Sequence, residues 1–415
     1  MINDFQNTVD GWVLDAIKKG IIDFNDLILT LPGVYPSMVL SSLKRLVQNK
    51  EISSDIQSDI MYQVKEPKSQ FQGRNKNKIS LPLPHPLDFE WRFADSASKY
   101  LLSICLKLTS PKDNILLLGT PSLLKNIANH GYQRKVIFIG DSTAVVDKLK
   151  KFAPKYKIIC CNFITDSHPE ITASVVILDP PWYKDFIYPF LWMAMQSCKF
   201  GGYVMISLPA LGTRPSVKQE WDSILEWSED LGLSLYKLEP CALYYSTPFF
   251  EQNALKAEGI LNFPKEWRKS NFAIFKRTKH NIAERPQIPQ TKKWKEVLID
   301  NVRLRVADDS NNNFEDPSII SIITGDILPS VSRNDPRRNF ADVWTSGNRI
   351  YKCQGKKTLL IILNALVANQ SPQNNIEKFM NRCLKVEEIN KINQTIQQIE
   401  SLVKLENNEL LIHEE

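Results

Sequence analysis

In Val175-Val176-Ile177-Leu178-Asp179-Pro180-Pro181-Trp182-Tyr183, four consecutive apolar residues run into an acid, two prolines and two aromatics. A short, continuous apolar run predicts a strand buried on both faces, as in a parallel sheet covered by helices. The prolines end it abruptly, because they supply no N–H for a ladder and hold the preceding residue out of the helical region. Runs of the same kind recur on either side, at 115–118 ending at Gly119, 136–139 ending near Asp141, 157–161, 203–207 after Gly201-Gly202, 233–238 and 271–275. Helix-length segments separate the first of these, and none is evident between the last two, which predicts an antiparallel edge pair. The fold class is therefore α/β, with a seven-stranded doubly wound sheet.

The 415 residues exceed one ordinary core and predict more than one domain. Residues 1–66 show helical apolar spacing at Val13, Leu14 and Ile17, at Phe24, Leu27, Ile28 and Leu31, and at Val39, Leu40, Leu43, Leu46 and Val47. Strand-like pieces follow at Glu51-Ile52 and Met61-Tyr62-Gln63-Val64. Residues 67–84 form a basic linker, with Lys68, Arg74, Lys76 and Lys78 set among prolines. The sheet domain spans 85–278, a second linker 279–293, and a small α+β or strand-rich domain 294–371. In 372–415, Ile389, Ile392, Ile396, Ile399 and Val403 step by three and four as a heptad seam, suited to an amphipathic helix on the chain's own core or to a homodimer.

The net charge of +6 permits a nucleic-acid partner without demanding one. The seven cysteines form no C-x-x-C pair and the five histidines show no ligand spacing, so no metal site is expected. The start lacks the form of a signal peptide and no apolar run is long enough to span a membrane, so a cytoplasmic location is expected.

In an open parallel sheet, ligands bind at the carboxyl ends of the strands near the point where strand order reverses. The first four tips are Gly119-Thr120-Pro121, Asp141-Ser142, Asn162-Phe163 and Asp179-Pro180-Pro181-Trp182-Tyr183. Glycine after the first strand allows close approach of a cofactor. An acid after the second accepts hydrogen bonds from ribose hydroxyls, and a small polar residue with an aromatic after the third suits an adenine ring. The fourth tip faces the reacting centre.

The fourth tip resembles the D-P-P-[WYF] motif of the S-adenosylmethionine-dependent amino-group methyltransferases, those acting on adenine N6 above all. The resemblance implies S-adenosylmethionine as cofactor, Asp179 and the carbonyl of Pro180 as acceptors for the target amine, and Trp182 or Tyr183 as the stacking surface. The first loop has one glycine where that family carries G-x-G-x-G. The layout of 1–66 is similar to a winged helix, which implies that the third helix reads DNA or serves as a packing module. Front module and sheet together resemble the branched-chain polyamine synthases, which transfer an aminopropyl group; they carry aspartates where this chain has Thr120, Pro121 and Ser122. Three functions stay open: an N-methyltransferase acting on an amine such as an exocyclic amino group in DNA or RNA, an aminopropyltransferase on a small amine, and a non-catalytic nucleic-acid-binding or scaffold protein. The segments 85–93, 244–251, 332–338 and 344–349 are further candidates for lid, specificity loop and phosphate contacts.

Overall fold

Helices lead the chain: α1 (Ile2–Lys18), α2 (Phe24–Thr30), α3 (Pro36–Gln48) and α4 (Ser54–Lys65). The computed structural model describes residues 2–66, 81–132, 134–280, 283–288, 292–308 and 314–414. Asp23 caps α2 by accepting from the Asn25 and Asp26 N–H groups, and Pro36 opens α3, where a missing N–H costs nothing. The fourth helix corrects the expectation of a two-strand ribbon, and with it the winged-helix layout. Ser53 caps it by accepting from the Ile56 N–H, and Ile60 and Val64 are buried one turn apart. Spacing by four outweighs the strand-like composition of Met61-Tyr62-Gln63-Val64. On α3, Arg45 is held by Asp10 through two hydrogen bonds of 2.7 and 2.8 Å, so this guanidinium is committed within the module.

The chain divides into two compact units, 1–68 with 91–247 and 259–288, and 69–90 with 248–258 and 289–415. The first holds an eight-stranded sheet. Its strands are β1 (Arg92–Phe93), β2 (Asn114–Leu118), β3 (Lys135–Gly140), β4 (Lys157–Cys160), β5 (Ala173–Leu178), β6 (Cys198–Pro209), β7 (Leu233–Ser246) and β8 (Lys269–Arg277). They lie in the order β1-β7-β8-β6-β5-β2-β3-β4. The helices α5 (Asp95–Leu108), α6 (Pro121–His130), α7 (Thr143–Phe152), α8 (Lys184–Ser197) and α9 (Val217–Asp230) intervene in sequence. The seven expected strands are present, and β8 runs antiparallel to both β6 and β7. The eighth strand is a two-residue edge, pairing Arg92 with Ser246 and Phe93 with Tyr245; it is too short to leave a periodic signal. Between β7 and β8 the chain forms α10 (Phe249–Ala257), where no helix was evident from sequence.

The second unit carries an antiparallel sheet ordered β11-β13-β12-β10-β9, from β9 (Trp294–Ile299), β10 (Val302–Ala307), β11 (Ser318–Ser321), β12 (Val343–Thr345) and β13 (Ile350–Gln354). α11 (Lys356–Val367), α12 (Pro372–Met380) and α13 (Val386–Glu414) pack with it. On α13, Ile392, Ile399 and Val403 are buried in one core with Val302, Leu304 and Val306, and Ile389 and Ile396 pack against that core. The heptad seam is thus packed on the chain's own core, the first of the two arrangements that its spacing suited. Residues 67–80, 281–282 and 289–291 of the two expected linkers lie outside the described residues. No described helix is long and apolar enough to cross a membrane.

Glu406 on α13 is fully buried; it accepts from the Thr345 hydroxyl and lies 3.3 Å from Arg349 Nη1. Burial pushes its carboxyl up to about 7, against the pull of Arg349. The folded chain therefore keeps a proton that the unfolded chain releases above about pH 4. By linkage this lowers stability as pH rises from about 4 to about 7. Glu406→Gln removes the titration and keeps an acceptor for Thr345. Relative to the parent chain, its stability should improve across that window by roughly 3 kcal/mol at most. Urea unfolding at pH 5 and pH 8 measures this; an identical difference at both would show that Glu406 titrates like an unfolded glutamate.

Candidate active site

The central strand β2 has β5 on one side and β3 on the other, all parallel, so strand order reverses between β2 and β5. Leu118 and Leu178 are register partners, and the Asp179 N–H reaches the Leu118 carbonyl at 3.3 Å. The tips Gly119-Thr120 and Asp179-Pro180 therefore lie side by side at the switch point, where such sheets bind ligands.

One oxygen of Asp179 organises the fourth tip. Its Oδ1 accepts hydrogen bonds from the Ser207 hydroxyl on β6 and, at 2.7 Å, from the Tyr245 hydroxyl near the end of β7. Burial, then the neighbouring carboxylate, raises the Tyr245 phenol well above its ordinary value, so it remains a donor. Trp182 meets Tyr245 edge to face at 5.5 Å, and its indole N–H points to Ser207 Oγ at 3.5 Å. Pro180 is buried, while Asp179, Pro181, Trp182 and Tyr183 are partly exposed.

Two arginines frame the turn. Arg214 donates to the Trp182 carbonyl at 2.5 Å, pairs with Glu220 and lies 5.0 Å over the Tyr183 ring. Arg268 lies 4.1 Å from the Trp91 ring centre, 5.1 Å from Trp267 and 5.5 Å from Trp182. Trp267 is buried and packs edge to face on Tyr35, in the turn between α2 and α3. Lys269 fixes that turn by donating to the carbonyls of Leu29 and, at 3.3 Å, Leu31. The N-terminal helices thus contribute to the wall of this aromatic cluster.

The other tips are uneven. Gly119 has φ +64, and a Cβ there would stand 3.1 Å from Phe190, so glycine is required by packing as well as by backbone. Thr120 is buried, and its hydroxyl makes no hydrogen bond among the described residues. Pro121 begins α6. Asp141 is exposed, and Ser142 caps α7 by accepting from the Val145 N–H at 3.5 Å. The third tip departs from expectation. Phe163 is buried against Phe190 with ring centres 4.1 Å apart, so its ring belongs to the core and cannot cover an adenine. Asn162 turns its side-chain oxygen into its own loop, accepting from the Ile164 and Thr165 N–H groups at 2.9 and 3.1 Å. S-adenosylmethionine fits the remaining groups: an unpartnered hydroxyl at Thr120 and an exposed carboxylate at Asp141, at the tips of β2 and β3. Among the described residues no cluster of side chains could hold a metal ion.

The weaker candidates resolve differently. Of 85–93, His85 is buried, with its ring facing the Leu87 N–H and the Trp344 carbonyl, and Asp88 and Glu90 bind the buried Arg303; this part is a packed connector. Trp91 and Phe93 instead flank Tyr245, with ring centres 6.3 and 4.9 Å away. Arg337 pairs with Asp335, and the buried Arg349 pairs with Glu406 and Glu409, so neither guanidinium offers a phosphate fork. Ser207, Arg214 and Arg268 are additions that sequence reasoning missed. The signal for Ser207 was a hydroxyl closing an otherwise apolar strand; the arginines left none.

No family model matches the sequence, and no curated protein matches it. Among solved structures, the fold is similar to a branched-chain polyamine synthase C9 mutein from Thermus thermophilus, in complex with N4-aminopropylspermidine and 5'-methylthioadenosine. The likeness has a TM-score of 0.53 at 10% identity, covering 70% of this chain and 94% of that one. The branched-chain polyamine synthase of the same organism gives 0.50 at 11% identity, covering 68% and 91%. A TehB-like SAM-dependent methyltransferase from Corynebacterium glutamicum gives 0.31 at 14% identity, covering 44% and 88%. At such identities the likeness to the two synthases is one of fold.

Tyr245→Phe removes one donor from a carboxylate that has been taken partly out of water. Stability should fall by about 1.5–3 kcal/mol, the range for hydrogen bonds to charged groups. Urea unfolding checks this, and an unchanged midpoint would show that the phenol does not hold Asp179.

Proposed function

We propose that the protein is an S-adenosylmethionine-dependent N-methyltransferase whose target is an amine, with the exocyclic amino group of a nucleobase as the preferred class. The observation that carries this reading is the Asp179 carboxylate, anchored through one oxygen by Ser207 and Tyr245 at the switch point, with the Trp182 ring beside it. An amino group on a ring has its lone pair delocalised. Acceptors placed on its hydrogens, here Asp179 and the Pro180 carbonyl, favour a pyramidal nitrogen whose lone pair is available for attack. When bound, S-adenosylmethionine would supply an electrophilic methyl group whose bonding pair stays with sulfur as a neutral thioether, while Asp179 and the Pro180 carbonyl would hold the hydrogens of the amine, one of which would be lost to water as a proton. Thr120 and Asp141 hold the cofactor, Trp182 and Tyr183 orient the ring, and the prolines keep the turn from rearranging. The anchoring of Asp179 by two hydroxyls means that its orientation is set before substrate arrives, which is the electrostatic preorganisation that such a step requires.

A second reading, aminopropyl transfer to a small amine, is favoured by one observation: the alignment of this fold over 94% of a polyamine synthase. Calorimetric titration with S-adenosylmethionine and with its decarboxylated form separates the two. Tighter binding of the decarboxylated form would overturn methyl transfer in favour of aminopropyl transfer.

Asp179 acts as the nitrogen changes shape, so its loss should lower the rate constant far more than cofactor affinity. Asp179→Asn is expected to slow single-turnover transfer of labelled methyl by about a hundredfold or more. Trp182→Ala should act on substrate affinity instead, by about 1–3 kcal/mol, since stacking is already present in the ground state. Full activity in Asp179→Asn would remove this turn from the chemistry. Asp141→Ala should weaken S-adenosylmethionine binding by about 1–3 kcal/mol, and unchanged affinity would remove Asp141 from the site.

A further inference from the structure

We propose that Arg214 is a positioning residue for the transfer reaction: it fixes the Trp182–Tyr183 peptide and so holds the Trp182 ring where a nucleobase would stack beside Asp179; this rests on the N-methyltransferase reading above. That peptide plane is held at both ends. The Tyr183 N–H donates to the Pro181 carbonyl at 2.7 Å, closing a γ-turn centred on Trp182. The Trp182 carbonyl accepts from Arg214 Nη2 at 2.5 Å, and the same guanidinium lies 5.0 Å from the Tyr183 ring centre. Together the two hydrogen bonds fix φ and ψ of Trp182, and with them the direction in which its side chain leaves the turn. That direction brings the indole edge to face with Tyr245 at 5.5 Å and its N–H to within 3.5 Å of Ser207 Oγ, the two residues that anchor Asp179.

Arg214 is itself aimed from behind. Glu220, in the first turn of α9, accepts from Arg214 Nε at 3.1 Å and from Nη2, and the Ser216 hydroxyl donates to the same carboxylate at 2.6 Å. The hydrogens of Nη2 are thus divided between Glu220 and the Trp182 carbonyl. Arginine and glutamate together are neutral, so their part is geometric: a planar fork, set by the carboxylate, points one nitrogen at a backbone oxygen. The chain ahead of Arg214 is tied down as well. Leu211–Thr213 form one tight helical turn, and the Gly212 N–H donates to the Pro32 carbonyl at 2.9 Å. A Cβ on Gly212 would stand 2.6 Å from that carbonyl oxygen, so the contact requires glycine. The segment between β6 and α9 therefore rests on the N-terminal helices and delivers one side chain to the turn after β5.

The test uses the full chain. With fluorotryptophan in place of tryptophan, the Trp182 fluorine resonance is the one missing from Trp182→Phe, and it is read with no ligand present. Arg214→Ala should shift or broaden that resonance. Arg214→Lys, which keeps a charge beside Glu220 but has no fork, should do the same. The functional arm is calorimetric binding of a single-stranded oligonucleotide rich in adenine and cytosine, with S-adenosylhomocysteine present so that no methyl is transferred. Arg214→Ala should lose roughly tenfold in affinity for the oligonucleotide, with S-adenosylmethionine affinity unchanged. In a Trp182→Ala background the same substitution should cost nothing further, because the ring through which it acts is gone. Should Arg214→Ala fail to fold, the lysine variant carries both arms. A Trp182 resonance unmoved in a folded variant would overturn the proposal. So would an equal loss of affinity in the two backgrounds, which would make Arg214 a direct contact or a general support of the fold, and so would a parent chain that binds S-adenosylmethionine but not the oligonucleotide. Failure of the N-methyltransferase reading would appear separately, as absence of S-adenosylmethionine binding in the parent chain.

Discussion

The shared acceptance of two hydroxyl groups by one oxygen of Asp179 is the contact on which the candidate site depends. The acid ends β5, Ser207 lies on β6, and Tyr245 sits near the end of β7, two strands beyond β6 in the sheet. A single carboxylate therefore ties the end of β7 to the ends of β5 and β6, which are already paired with each other. Such an anchored charge does not need to reorganise when a ligand arrives, which is what distinguishes a preorganised site from a polar surface. Around it, Trp182 and Phe93 pack on Tyr245, and Arg268 reaches the same cluster through the tryptophans.

Much of the parallel sheet was legible from sequence because buried parallel strands are continuous apolar runs, and 115–118 and 136–139 are written almost without interruption. The turn at Asp179 was legible for a related reason, since two prolines after such a run admit few conformations. What escaped had no local signature. A two-residue edge strand has no period, and α4 carries residues of strand-like composition on a helical stripe. The partners of Asp179 come from 28 and 66 residues further along, brought near by topology alone. Phe163 was misjudged because an aromatic at a strand tip looks the same in sequence whether it faces a ligand or, as here, another phenylalanine of the core. The heptad seam on α13 was likewise visible, while the identity of its partner was not; the sheet of the same unit covers it.

The second unit shows how far buried charge can be tolerated when it is matched. Arg303 is fully buried and meets Asp88, Glu90 and Glu296 together with the Leu83 carbonyl, and Asp88 and Glu296 also serve Arg305. Removing one member would leave the others charged in a medium that solvates them poorly, so the group behaves as a unit. Two of the arginines that sequence reading assigned to phosphate contacts, Arg337 and Arg349, are likewise paired with carboxylates of the unit.

The Lys269 amine, reaching back to the carbonyls of Leu29 and Leu31, spans 240 and 238 residues of sequence. Loop closure over such distances is slow relative to local helix formation. During synthesis the first helices leave the ribosome long before β8 exists, so their contact surface must wait for more than half the chain. The contacts of Tyr35 with Trp267 and of Leu29 and Leu31 with Lys269 therefore cannot form until the chain has been made as far as the start of β8.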